Sequence, residues 1–222
     1  MKRLIGDRLK ETGFTLVCLF PYIYFHLFFH LSSSSLVTFS IFCLLVFNFV
    51  TFLSSAGDNF SVADYRNTMF PDPSDQADYS YPKDSLLQAY GVVKDAEIRD
   101  PQHLDVNGEK CLLVVKHGLA TRTTVGRTNG LDSFTRTYDE YGIKHTSIEI
   151  AVLPYDEKHG KFSNAGDSGS IVLARDGRIV GLLTGGAGPT DETDIAYLTP
   201  YWWVEKQVKA KFPDYFLYEV VR

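Results

Sequence analysis

Cysteine is scarce, with only Cys18, Cys43 and Cys111 in 222 residues. Two lie in an apolar stretch and one in an expected buried strand, which excludes a disulfide framework. An excess of positive charge is also missing. The formal net charge is −5 and the pI is near 5.7. Lysines and arginines are scattered rather than gathered on one element, so no nucleic-acid surface is expected. No His, Cys, Asp or Glu grouping has metal-ligand spacing, and neither a metal nor a cofactor is expected.

Formal charge is absent altogether from Phe14 to Gly57. Phe14–Leu31 and Leu36–Leu53 are apolar blocks separated by four serines, each about 18 residues and at the lower edge of a bilayer-spanning helix. Three readings stand for residues 1–57. They are a membrane anchor or helical hairpin, a long signal sequence with Ser54-Ser55-Ala56-Gly57 inviting cleavage, or a stretch that is not native coding sequence. The first two put the protein in a membrane or the secretory pathway.

Beyond Gly57 the chain is long enough to bury one core. Residues 58–108 read as an extended linker region, with Pro71, Pro73 and Pro82 set among Asp, Ser and Tyr. Leu86 to Val93 is a strand or short helix within it. Asn59-Phe60-Ser61 is a glycosylation acceptor if this segment is lumenal. Residues 109–222 read as β throughout. Strands are expected at 110–116, 120–126, 133–138, 146–153, 170–173, 179–184 and 195–199, with turns at His117-Gly118, Asn129-Gly130 and Asp176-Gly177. Short strands at regular spacing point to an antiparallel barrel or sandwich. A helix from Tyr201 to about Phe212 offers Trp202, Trp203, Val208 and Phe212 for packing.

The most informative stretch is Gly166-Asp167-Ser168-Gly169-Ser170. It precedes the apolar run Ile171–Leu173, a turn at Asp176-Gly177, and a second run, Ile179–Leu183, that ends in Thr184-Gly185-Gly186. Glycines on both sides of Ser168 leave room for a carbonyl and tolerate angles that align successive N–H groups. The N–H groups of Gly166 and Ser168 could then receive the oxyanion formed when a serine attacks an acyl carbon.

This stretch resembles the nucleophile region of the chymotrypsin/trypsin-like serine proteases. Ala196–Pro200 and the helix after it resemble that family's last strand and C-terminal helix. Leu112–Lys116, His117-Gly118 and Thr123–Gly126 resemble the first hairpin of its second barrel. The span from Lys83 to Tyr218 looks like a fungal branch. The resemblance implies a mostly β chain, an antiparallel Greek-key barrel of trypsin-like type (the family's second barrel) with a C-terminal helix. The apolar blocks before it are expected to form a hydrophobic helical N-terminal segment, and nothing in them resembles the family.

By the same resemblance, Ser168 is the nucleophile and Gly166 and Ser168 form the oxyanion hole. Thr184, Gly185 and Gly186 are the edge that pairs with an extended peptide or protein substrate. Phe162 falls at the pocket base, where members cleaving after Lys or Arg carry Asp. Asp167 pairs with a buried cation or caps its own turn. The family's histidine and aspartate come from a first barrel that this sequence does not display. None of His26, His30, His103, His117, His145 or His159 carries the expected context, nor do Asp64, Asp72, Asp75, Asp78 or Asp84. The scarcity of cysteine is a second departure. Two readings of function remain. One is a serine endopeptidase acting by acyl transfer through Ser168, incomplete without the His and Asp of a missing or separate first barrel. The other is a non-catalytic, membrane-tethered module that binds peptides.

Overall fold

A serine at residue 61 with an acid three residues on, and a proline just after Asp72, are helix-start signals. The computed structural model describes residues 50–52, 60–80, 86–138, 142, 144–188, 195–214 and 217, and it builds helices at both signals. In chain order come β1 (Val50–Phe52), α1 (Val62–Met69), α2 (Pro73–Asp78), β2 (Leu86–Gln88), α3 (Asp95–Arg99) and β3 (His103–Leu104). Then come β4 (Lys110–Gly118), β5 (Arg122–Thr128), β6 (Asp132–Tyr138), β7 (Lys144–Pro154), β8 (Ile171–Ala174), β9 (Ile179–Ala187), β10 (Ile195–Pro200) and α4 (Tyr201–Lys211).

Six of these strands close into an antiparallel barrel. Going round it, β4 pairs β5, β5 pairs β7, β7 pairs β10, β10 pairs β9, β9 pairs β8, and β8 returns to β4. The expected class, a mostly β antiparallel barrel with a C-terminal helix, is what the chain forms. Alternation explains the closure. Leu112 and Val114 of β4 point inward with Val152, Phe162, Val172, Val180, Leu183 and Leu198, and these side chains fill the barrel. Gly126 allows this filling, because a methyl there would come within 2.7 Å of the Phe162 ring and 2.6 Å of Val152. The Asp176-Gly177 turn joins β8 to β9 as its sequence implies, with Gly177 at φ +89°.

β6 lies outside the circuit. Among the described residues it pairs only with β7, from Asp132↔Ile150 to Tyr138↔Lys144, and extends that strand into a two-stranded ribbon.

The helices α1 and α2 stand where an extended linker was expected. Ser61 and Asp64 cap each other's backbone amides at 3.1 and 2.9 Å, and Asp72 caps α2 ahead of Pro73. Composition hid the core contacts, because only a few apolar residues make them. Tyr65 and Met69 are fully buried, Phe70 nearly so, and the Tyr65 hydroxyl donates to the Arg175 carbonyl at 2.9 Å. Farther on, Val93 enters the barrel core and donates its amide to the Ile179 carbonyl at 2.9 Å.

In α4 the buried stripe is Tyr201, Val204 and Val208, with Trp202 packed on the core. Trp203 and Phe212, expected to pack, are instead exposed. The helical period carries Trp203 off the stripe that Tyr201 begins, and Phe212 lies past the last helical residue, Lys211, in a non-helical conformation.

The apolar block 14–31 and all but residues 50–52 of 36–53 lie outside the described residues, as does Asn59 of the sequon. Residues 50–52 form a strand paired with β2. Among the described residues no helix is long and apolar enough to cross a membrane.

Candidate active site

The loop that carries Ser168 into β8 is built on one buried carboxylate. Asp167 Oδ1 accepts from the amides of Ala120 at 2.7 Å and Thr121 at 3.2 Å. Its Oδ2 accepts from the Thr121 hydroxyl at 2.7 Å and the Asn164 amide at 3.1 Å. Lys116 Nζ stands 3.2 Å from the same oxygen and donates to Thr121 Oγ1 at 2.6 Å. Both side chains of this ion pair are wholly buried. Lys116 reaches the site because it comes after Leu112 and Val114 at the two-residue period of β4 and points inward. Gly118 is needed for the approach, because a side chain there would run into the Asp167 carboxylate.

Burial alone would push the Asp167 carboxyl up. The Thr121 hydroxyl, the Asn164 and Ala120 amides and the Lys116 ammonium outweigh it and hold the group down at about 2. Asp167 is therefore ionised at every pH where the protein would work. Its partners tie the β4–β5 turn to the loop on which Ser168 sits.

Around that anchor the backbone is fixed residue by residue. The Asp167 amide donates to Asn164 O at 3.1 Å and the Ser170 amide to Asp167 O at 3.0 Å. Gly169 N donates to Leu183 O at 2.7 Å, and Leu183 N to Ser170 O at 3.0 Å. Gly166 and Gly169 lie on either side of the exposed Ser168 at φ +103° and +87°, angles that favour glycine. Among the described residues, the Gly166 and Ser168 amides donate to no backbone carbonyl in this loop.

Thr184, Gly185 and Gly186 begin where the pairing of β9 with the Ser168 loop ends at Leu183. Gly185 and Gly186 pair with Tyr197 and Ala196 of β10, and Thr184 is the extra residue of a bulge between Leu183 and Gly185. Its hydroxyl donates to Tyr197 O at 3.1 Å. The segment is exposed to half-buried, beside the serine loop. Phe162 is placed in the barrel core with no exposure. Its carbonyl accepts from Thr124 Oγ1 at 2.6 Å, and Lys116 Nζ lies 5.5 Å from its ring centroid. That position holds up the Lys116–Asp167 pair from below.

The histidines do not converge on Ser168 through any hydrogen bond among the described residues. His117 Nδ1 is 2.9 Å from Thr123 Oγ1, and His159 Nδ1 is 2.6 Å from Asp156 Oδ1. His103 lies on β3 and lines a cavity of about 730 Å³ with Arg175 and Arg178, near the Ala174 end of β8. Burial, followed by Arg175, lowers its pKa and favours the neutral ring. His26, His30 and the side chain of His145 lie outside the described residues. Sequence reasoning left the cation facing Asp167 unnamed. The inward register of Lys116 was the signal that could have named it. Among the described residues no acid, histidine or cysteine cluster is arranged to hold a metal ion.

No protein-family model matches the chain, and no curated protein matches it. Among solved structures it is similar to a Cellulomonas bogoriensis chymotrypsin, at 18% identity and a TM-score of 0.36 over 60% of this chain and 57% of that one. It is similar to Thermobifida fusca protease A, at 16% identity and a TM-score of 0.34 over 60% and 56%. It is also similar to an active-form protease from M. tuberculosis, at 16% identity and a TM-score of 0.35 over 64% of each chain. The matched part spans less than two thirds of the length of each of these structures, all of them serine proteases of chymotrypsin-like type.

Proposed function

We propose that this chain is a serine-endopeptidase-type module that performs acyl transfer through Ser168. The observation that carries the reading is the sealed Lys116–Asp167 pair directly behind an exposed serine set between two glycines at positive φ. A preorganised loop of that kind stabilises charge developing at a carbonyl oxygen without reorganising during the reaction. In this reading the Gly166 and Ser168 amides receive the oxyanion, and a peptide lies extended along Thr184–Gly186. Ser168 Oγ attacks the acyl carbon, its proton passes to a base, and the leaving amine takes a proton back. Because Lys116 supplies the counter-charge to Asp167 from inside the barrel, the loop is held without a newly cut chain terminus.

The base belongs to the proposal's missing half, a first barrel carried by a separate partner. Without it the oxyanion donors and binding leave only about 10³-fold of catalysis over water. The second reading, a peptide-binding module without turnover, is favoured by the absence, among the described residues, of any hydrogen bond to the Ser168 hydroxyl. In both readings residues 1–57 tether the module to a membrane or direct it to the secretory pathway. Labelling of the full chain by a fluorophosphonate, beside a Ser168→Ala control, tests the choice. Labelling lost in the control establishes an activated serine. A folded wild-type chain that stays unlabelled alone and also in an extract of its source cells, where a partner barrel is at hand, rejects the peptidase reading and leaves the binding module.

A further inference from the structure

Four of the ten large apolar side chains that the described residues expose lie on or beside the β6–β7 ribbon: Leu131, Phe134, Tyr138 and Ile148. Phe134 is 75% exposed and sits directly opposite Ile148. Phe134, Tyr138 and Ile148 share the face on which Ile150 enters the barrel core, so the apolar side of β7 continues past the barrel into solvent. β6 is also the last strand of its sheet. Among the described residues its outer edge carries no strand, and its register with β7 runs from 132 to 138 without a shift. Its sequence, Asp-Ser-Phe-Thr-Arg-Thr-Tyr, has no proline and no lysine. Bulge, proline and lysine, three devices that blunt an open edge, are therefore missing, and the charges the strand carries are one acid, Asp132, and one base, Arg136.

We propose that β6 is the interface between two copies of this chain, the two strands pairing antiparallel about a twofold axis through Phe134. Charge selects that partner and that register. With Phe134 opposite the partner's Phe134, Asp132 faces the partner's Arg136, and Arg136 faces the partner's Asp132. All of these lie on one face by the two-residue period. A twofold contact makes every such pair twice. Asp132 already accepts from Arg99 Nη1 at 2.6 Å and stays 28% exposed, which leaves carboxylate surface for a second donor. Arg136 stands over the Tyr138 ring at 5.3 Å, so its charge is held on the same face. The paired strands form one continuous sheet across the dimer, and the two Phe134 rings and two Ile148 side chains cover each other.

The test uses the full chain with Cys18 and Cys43 replaced by Ser, leaving the buried Cys111. Phe134→Cys places two thiols on the twofold axis, where opposed strand Cα atoms stand about 4.5–5.5 Å apart and a disulfide closes. Ser133→Cys places them two residues out of step, beyond the roughly 7 Å limit. The expected result is a cross-linked dimer from the first variant and none from the second under the same oxidant. Arg136→Asp and Asp132→Arg should each weaken self-association about tenfold, since each sets like charges opposite one another. Mixing these two variants, differently tagged, should restore pairing between them. Equal cross-linking of the two cysteine variants would overturn the proposal. So would failure of the mixed variants to co-isolate, or a wild-type chain that sediments as a monomer at every concentration.

Discussion

Strand β8 separates two groups of ion pairs that differ in nearly every respect. Before its first residue lies Lys116–Asp167, wholly buried, with the carboxylate bonded by amides, a hydroxyl and an ammonium. After its last residue lie Arg175–Asp75 and the Arg178 fork to Glu97 and Asp176, whose acids are each about 40% exposed. A buried charge cannot exchange a lost partner for water, so each member of the first group is indispensable to the others. An exposed pair can, and its net contribution is small. The loop carrying Ser168 is thus fixed by polar bonds that exclude solvent. Helix α1 is fixed by apolar anchors, Tyr65 and Met69, and α2 by polar contacts, the Arg175–Asp75 pair and the Gln76 amide donating to the Phe70 carbonyl at 2.7 Å.

The strongest way to break that contrast is Lys116→Met. Removing the ammonium leaves a carboxylate buried without its counter-charge, and the expected loss is about 3–5 kcal/mol in urea unfolding. Fluorophosphonate labelling of Ser168, where the wild type shows it, should fall with it. Adding Asp167→Asn to Lys116→Met should recover part of the stability, because the orphaned charge is then gone. A single variant as stable as wild type would mean that the pair is no more than a surface interaction displaced inward.

Acid sharpens the comparison next. Asp167 has a folded pKa of about 2, below the value near 3.9 of an unfolded chain. A depressed carboxylate pKa contributes stability above the unfolded value and loses it as pH falls through the folded one. The wild type should therefore exceed Asp167→Asn most at neutral pH. The gap should narrow by about 2 kcal/mol between roughly pH 4 and pH 2. Unfolding midpoints of both proteins across that range read it directly, and a gap that stays constant would deny the carboxylate its role.

How much of this was legible differs between the same two regions. The strands were readable because apolar runs alternate with glycine-bearing turns, and the Asp176-Gly177 hairpin formed as its residues imply. Asp167 was readable as a residue with two possible roles, a turn cap or the partner of a buried cation. Lys116 was not, since a lysine at the end of an apolar run looks like the point where a strand leaves the core. Only the register, with Val114 and Leu112 two and four residues before it, sends it inward. The helices at Val62–Met69 and Pro73–Asp78 were hidden for a different reason. Their polar composition carries no apolar period, and their stability comes from caps at Ser61 and Asp72 and from Tyr65 and Met69 packing far away in sequence.

The smallest expected effect belongs to Glu97→Gln. Its carboxylate meets Arg178 in a two-point fork at 2.9 and 3.0 Å, a favourable geometry, and this bond chiefly holds its pKa below the usual range. Water still reaches it, and Asp176 remains bonded to Arg178 Nε at 2.7 Å after the change. The cost in unfolding should stay within about 1 kcal/mol and shrink further in molar salt, where screening acts within about 3 Å. The cost of Lys116→Met should barely respond to the same salt, because no ion can enter beside a sealed pair. If the two variants lost comparable stability, or answered salt alike, then burial would not be what separates the ends of β8. The preorganisation of the serine loop would then need another cause.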